Sequence, residues 1–199
     1  MTVLVITAVI LGILTGRLEL LGPFTETVNA LSSYLLWAML FVVGVGLGQN
    51  KDIWHKLVQM GWRIVMIPLA VLVGSLGGSA LAGWLLKMPL YKAMTVGAGL
   101  GWYSIVGPLL GEMGDVELGV VALLSNAFRE VIALLIIPFV ASKAGKIAAL
   151  APGGATTMDT TMPLISQSCG NHIAFLGFIS GLILTALVPV LVPLIYQLG

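Results

Sequence analysis

Charge is scarce in this sequence. Only 9% of its 199 residues are Asp, Glu, Lys or Arg, where a soluble globular domain carries about 25% to cover its surface. Nine basic and eight acidic residues leave a net charge of +1. That provides no basic stripe for nucleic acid and too little polar surface for a water-soluble enzyme. Cysteine is almost absent as well. Cys169 alone makes neither an internal disulfide nor a Cys-rich metal site, and reads as a small buried apolar residue. The histidines, His55 and His172, lack metal-ligand spacing. No P-loop, HExxH motif or Ser/His/Asp arrangement appears, so neither an enzymatic activity nor a bound cofactor is expected. What the chain has is apolar length: 59% of it is hydrophobic and its mean hydropathy is +1.10. It reads as an all-α polytopic membrane protein, a single transmembrane domain over residues 1–199.

Crossing the hydrocarbon core takes about 20 mostly apolar helical residues. Uncharged runs of that order cover residues 1–16, extending past Arg17 and Glu19 to Leu21, then 27–50 and 64–86. A further run, 118–141, is interrupted only by Arg129 and Glu130, and 173–197 closes the set. The first run begins without a basic flank, so no cleaved signal peptide is expected. Five full spans follow from this map.

Two segments do not fit it. Residues 93–111 carry Gly97, Gly99, Gly101, Gly107, Gly111 and Pro108; residues 147–165 carry Pro152, Gly153, Gly154 and Pro163. Each Gly costs a helix interior about 1 kcal/mol and each Pro about 3. Irregular backbone at membrane depth survives only where protein or a water-filled cavity covers it. Both segments are therefore expected to be broken or re-entrant helices. Charge favours the re-entrant choice mildly, placing Lys51, Lys56, Arg63, Lys143 and Lys146 on one side. Arg17, Lys87 and Lys92 then share the other side with most of the acids. By the positive-inside rule the N-terminus is inside and the C-terminus outside. Each broken segment then follows a span of opposite direction, which is an inverted repeat. Gly99 and Gly154 match at an offset of 55 residues, as do Pro108-Leu109-Leu110 and Pro163-Leu164-Ile165. Paired discontinuous helices of this kind build the binding sites of secondary transporters.

Polar residues inside the apolar runs point to the same place. Glu130 falls about 18 Å along its span at 1.5 Å per residue, close to the membrane centre. Asn126 lies one turn earlier on the same face. Asp159 follows the Pro152-Gly153-Gly154 break, among Thr156, Thr157, Thr160 and Thr161. A charge at the centre costs about 2.5–3.5 kcal/mol even on the lenient insertion scale. One reading is that Arg129 pairs with an acid and only holds the bundle together. The other is that two acids against one base leave a surplus carboxylate, which takes up a proton or a cation. Trp102, Tyr103 and Ser104 in the first broken segment read either as site residues or as interfacial anchors. Gly177 and Gly181, spaced GxxxG, permit a close approach of the last span to a neighbour.

Three blocks carry a family resemblance: Gly99-Leu100-Gly101-Trp102-Tyr103-Ser104, Asn126-Ala127-Phe128-Arg129-Glu130, and Gly153-Gly154-Ala155-Thr156-Thr157-Met158-Asp159. In order and approximate spacing they resemble the lysine exporter family (LysO-like). The resemblance covers nearly the whole chain and the C-terminal two-thirds of a full-length member. It implies export of L-lysine from the cytoplasm with essential intramembrane acids, carried here by Glu130 and Asp159. An acid that the family places further N-terminal has no match. A second short membrane subunit, as in split members, or a homodimer of this chain is therefore implied.

The expectation is a secondary transporter in the cytoplasmic membrane that moves L-lysine or a related cationic amino acid outward. Inward proton flow is the expected drive and Na⁺ the other possible coupling ion. Substrate and proton are expected on Glu130, Asp159, Asn126, Arg129, Thr156, Thr157, Ser104 and Tyr103, with Arg129 pairing with the acids while substrate is absent. Two alternatives stay open: a Na⁺-coupled carrier of organic anions, and a non-transporting scaffold subunit.

Overall fold

A computed structural model describes residues 63–199 continuously. N-terminal to these it describes only residues 11, 14, 15, 17, 22–24, 26–28, 30, 31, 34 and 38. The expected spans 1–21 and 27–50 lie largely outside the described residues. Two compact units divide the chain, Met1–Gly44 and Val45–Gly199, and the candidate site lies entirely in the second.

Helices are the only regular secondary structure among the described residues. Three of them are long and apolar enough to cross a membrane: α1 (Arg63–Leu85), α4 (Val116–Lys143) and α6 (Asn171–Tyr196). At 1.5 Å per residue the 28 residues of α4 extend about 42 Å. Its ends are set by charge. Asp115 caps the first turn by accepting from the Leu118 N–H at 3.0 Å, and Glu117 and Lys143 sit in the first and last turns, where each complements the helix dipole. The outer surface of the same helix is apolar, with Val120, Phe128, Ile132, Leu135 and Phe139 exposed. A soluble protein does not present such a stripe; a membrane span does.

Between the long helices lie the two Gly/Pro-rich segments, and both are broken as expected. In the first, α2 (Leu90–Gly97) gives way at Ala98–Trp102 to α3 (Tyr103–Glu112). Leu100 and Gly101 turn the chain with φ of 52° and 100°. In the second, short 3-10 turns at Ala148–Leu150 and Gly154–Met158 lead to α5 (Met162–Cys169), and Gly154 has φ 58°. Long helix then broken segment thus occurs twice before α6.

The residue-by-residue repeat holds only in part. Gly99 and Gly154 both lie in breaks, but Pro108 is inside α3 whereas Pro163 occupies the first turn of α5. The second break is longer, so the matching prolines fall at different helical positions. A proline alone does not break these helices either, since Pro68, Pro138, Pro189 and Pro193 are all helical.

The breaks touch. The Ala155 N–H donates to the Leu100 carbonyl at 2.9 Å, and a Cβ on Gly154 would stand 2.3 Å from that same oxygen. Each break has its own apolar core. Leu100, Val106 and Leu110 pack with Leu118 and Ala122 of α4 and Leu184, Val188 and Val192 of α6. Ala149, Leu150, Ile165 and Cys169 pack with Ala133 and Ile137, further along α4. The stretch of α4 between these two cores is where its polar residues fall.

Candidate functional site

Asn126, Arg129 and Glu130 share less than two turns of α4, and each serves a different group. Asn126 is 3% exposed and uses both ends of its amide on the first break. Its Nδ2 donates to the carbonyls of Val96 (3.0 Å) and Ala122 (2.9 Å), and its Oδ1 accepts from the Gly101 N–H at 2.7 Å. The fit demands glycine beside it: a Cβ on Gly99 would lie 2.6 Å from Asn126 Nδ2.

Arg129 does the corresponding work for the second break. Its Nε and Nη2 each donate at 3.2 Å, to the carbonyls of Pro152 and Ala151, and its Nη1 donates to Ser75 Oγ at 2.8 Å. The expected pairing of Arg129 with Glu130 or Asp159 is therefore not what the structure shows. Among the described residues the ion pair found is Lys92–Asp115, at the α2 and α4 termini. Breaking a helix frees carbonyls that need donors, and the guanidinium fork meets that need before any carboxylate does.

Glu130 is 5% exposed. Its carboxylate faces the hydroxyls of Tyr103 and Thr160, with the Asp159 carboxylate close enough to act on it. Asp159 is exposed and accepts from Thr160 twice, from its N–H at 2.5 Å and from its hydroxyl at 3.2 Å. The two acids thus come together from α4 and the second break, bridged by neutral hydroxyls. Tyr103 is half-buried and Ser104 exposed, both in the first turn of α3.

Thr156 and Thr157 are placed otherwise. Both are buried and both hydroxyls are spent on the fold. Thr156 Oγ1 donates to the Gly153 carbonyl at 2.9 Å, and Thr157 Oγ1 shares its proton between the carbonyls of Gly154 (2.8 Å) and Gly177 (2.7 Å). They hold the second break to itself and to α6. Gly177 and Gly181 make that seat, since a Cβ on Gly181 would lie 2.6 Å from the Met158 nitrogen. The partner of the GxxxG face is a broken segment, not another full helix.

Two residues outside the expected set belong to the arrangement. Thr160 bridges the acids. Ser75, one of two serines in the uncharged run 64–86, accepts from Arg129 and donates to the Gly97 carbonyl at 2.9 Å; a hydroxyl in that run was the available signal, shared with Ser79. An open groove of about 430 Å³ also borders Arg129, walled by Phe128, Ile132, Ala133, Ile136 and Pro152. The two acids do not line it. Among the described residues no group of three or more His, Cys, Asp or Glu could hold a metal ion.

Two acids thus lie beside the contact of the two breaks, Glu130 buried and Asp159 exposed. Comparison with known proteins gives the family. The family described as lysine exporter LysO matches residues 6–196. The chain is similar to "Lysine exporter LysO" of Escherichia coli (strain K12), 32% identical over 184 residues, which are 92% of this chain and 60% of that protein. It is also similar to a "Putative lysine exporter" of Haemophilus influenzae, 28% identical over 186 residues, 94% of this chain and 93% of that protein. This chain therefore spans less than two-thirds of the first relative and nearly all of the second. No solved structure matches it significantly. On the family match over almost its whole length, the chain belongs to the lysine exporter LysO family.

Proposed function

We propose that the chain exports L-lysine, or a closely related cationic amino acid, across the cytoplasmic membrane by exchange for protons. The observation that carries this reading is the company of the two acids. Glu130 and Asp159 face hydroxyls and each other, while Arg129 is committed to main-chain carbonyls and to Ser75. The buried Glu130 carboxylate, with a second carboxylate beside it, is stabilised by a proton or by an incoming cation. An ammonium group supplies the missing positive charge, and a proton replaces it when substrate leaves. Glu130 and Asp159 are the exchange pair, Tyr103 and Thr160 supply neutral oxygen ligands, and Ser104 lies at the exposed rim. The broken segments are re-entrant in this reading, with the N-terminus inside and the C-terminus outside. A second copy of the chain or a second short membrane subunit completes the assembly in this reading.

The test is uptake of radiolabelled lysine into inside-out vesicles with an imposed proton gradient. Accumulation is expected for the unaltered chain and is expected to be lost in Glu130→Gln and Asp159→Asn at unchanged protein level. Gradient-driven lysine accumulation that survives Glu130→Gln would rule the exchange mechanism out.

A further inference from the structure

The bonds around Arg129 run further than one residue. Ala151 O and Pro152 O accept from the guanidinium, the guanidinium donates to Ser75 Oγ, and Ser75 Oγ donates to Gly97 O. Gly97 ends α2 at the first break, and Ala151 and Pro152 open the second. One chain of hydrogen bonds therefore ties the carbonyl ends of both breaks together through α4 and α1. Beyond Pro152 the second break is internally braced. Thr156 holds Gly153, the Thr161 hydroxyl donates to the Thr156 carbonyl at 3.0 Å, and Thr157 fastens the turn to Gly177. Whatever fixes Ala151 and Pro152 thus fixes the segment that carries Asp159. Arg129 is also the chain neighbour of Glu130. A planar fork with donors spread over three nitrogens meets two carbonyls and a hydroxyl in fixed directions, whereas the three donors of a lysine ammonium all leave one nitrogen.

We propose that Arg129 and Ser75 form a positioning relay that locks the two breaks to each other and so sets Asp159 against Glu130, Arg129 itself making no contact with substrate. The relay accounts for a permanent cation one residue from Glu130 that does not neutralise the acids. It leaves their charge to the transported cation, and this link to transport rests on the lysine reading above. Ser75 is the sensitive member, because it holds the first break only through a hydroxyl that Arg129 orients.

Two measurements on the full chain test the relay. The first is amide hydrogen exchange on purified protein, which needs no substrate. Exchange in 151–161 is expected to rise several-fold in Ser75→Ala and in Arg129→Gln, to return to the unaltered rate in Ser75→Thr, and to stay constant in α6. Unchanged exchange in 151–161, or an equal rise everywhere, would overturn the proposal. The second compares lysine with lysinamide, which lacks the carboxylate charge, in vesicles. The relay raises the half-saturating concentration of both by the same factor in Ser75→Ala and Arg129→Gln. A loss confined to lysine would make Arg129 a carboxylate ligand and overturn the proposal. If the unaltered chain moves neither compound, the lysine reading fails while the exchange measurement still decides the relay.

Discussion

Asn126 shows how much one side chain does at the first break. With 3% of its surface exposed it satisfies the Gly101 N–H, which the first break would otherwise leave unpaired, and adds a donor to the Val96 carbonyl, which also accepts from the Gly99 N–H at 3.3 Å. Asn126→Ala strands the Gly101 N–H, at about 1–3 kcal/mol for a buried unsatisfied group. The expected outcome is a fall in melting temperature in detergent. A variant that melts with the unaltered protein would mean that water reaches the Gly101 N–H. Helical spacing alone put Asn126 and Glu130 on one face, and both are buried in the structure. The partners of Arg129 were not legible in the same way. A sequence displays side chains, so the acids looked like its only acceptors; the carbonyls of Ala151 and Pro152 become acceptors only once the fold has broken the helix there. Thr156 and Thr157 misled for a related reason, because hydroxyls near Asp159 looked free until the turn claimed them.

The two broken segments were legible as elements because glycine and proline act on the backbone locally. Their internal geometry was not. Pro108 lies inside α3 while the chain actually turns at Leu100 and Gly101, where Leu100 also accepts from the second break. The same holds for Gly177 and Gly181, whose spacing announces a close approach without saying to what. The structure answers with Thr157, Met158 and Ala155. A methyl group on Gly181 would meet the Met158 nitrogen at 2.6 Å and the Ala155 carbonyl at 2.8 Å, main-chain atoms that move only with the whole turn, and the Thr157 hydroxyl at 2.7 Å. Gly181→Ala is therefore expected to destabilise by about 1–3 kcal/mol, as overpacking does, and to lower lysine export by displacing the Asp159 segment. Gly74 of α1 makes the control, since nothing lies within 4 Å of its added Cβ. Gly74→Ala is expected to be neutral or to stabilise by up to about 1 kcal/mol. Equal melting temperatures for the two variants would contradict the packing assigned to α6.

At the scale of the whole second unit, the polar groups at the ends of α4 say what holds the bundle and which way it faces. Lys92 Nζ donates to Asp115 Oδ2 at 2.6 Å and the Tyr196 hydroxyl donates to the same oxygen at 3.3 Å. Together they latch α2, α4 and the end of α6. The hydrogen bond from Lys92, then that from the Leu118 N–H, holds the Asp115 carboxyl below its ordinary value, and Asp115 holds Lys92 above its own. The contribution of Asp115 is thus present above the unfolded carboxylate value and lost as pH falls through the lowered one. That of Lys92 is present below the unfolded lysine value and lost as pH rises through the raised one. Melting temperatures of the unaltered chain and Asp115→Asn are expected to differ at neutral pH and to converge in acid; a constant gap down to strongly acidic pH would remove the latch from the account. Orientation rests on α4 as well. Its length of about 42 Å from 28 residues puts Glu112 and Asp115 across the membrane from Lys143 and Lys146, whichever way the broken segments lie. By the positive-inside rule the basic end is expected in the cytoplasm. In a Cys169→Ser background, Glu112→Cys is expected to react with a membrane-impermeant maleimide on intact cells, and Ser142→Cys only after the membrane is opened; both positions are exposed. The reverse pattern would turn the molecule over and make the Lys92–Asp115 latch a cytoplasmic one.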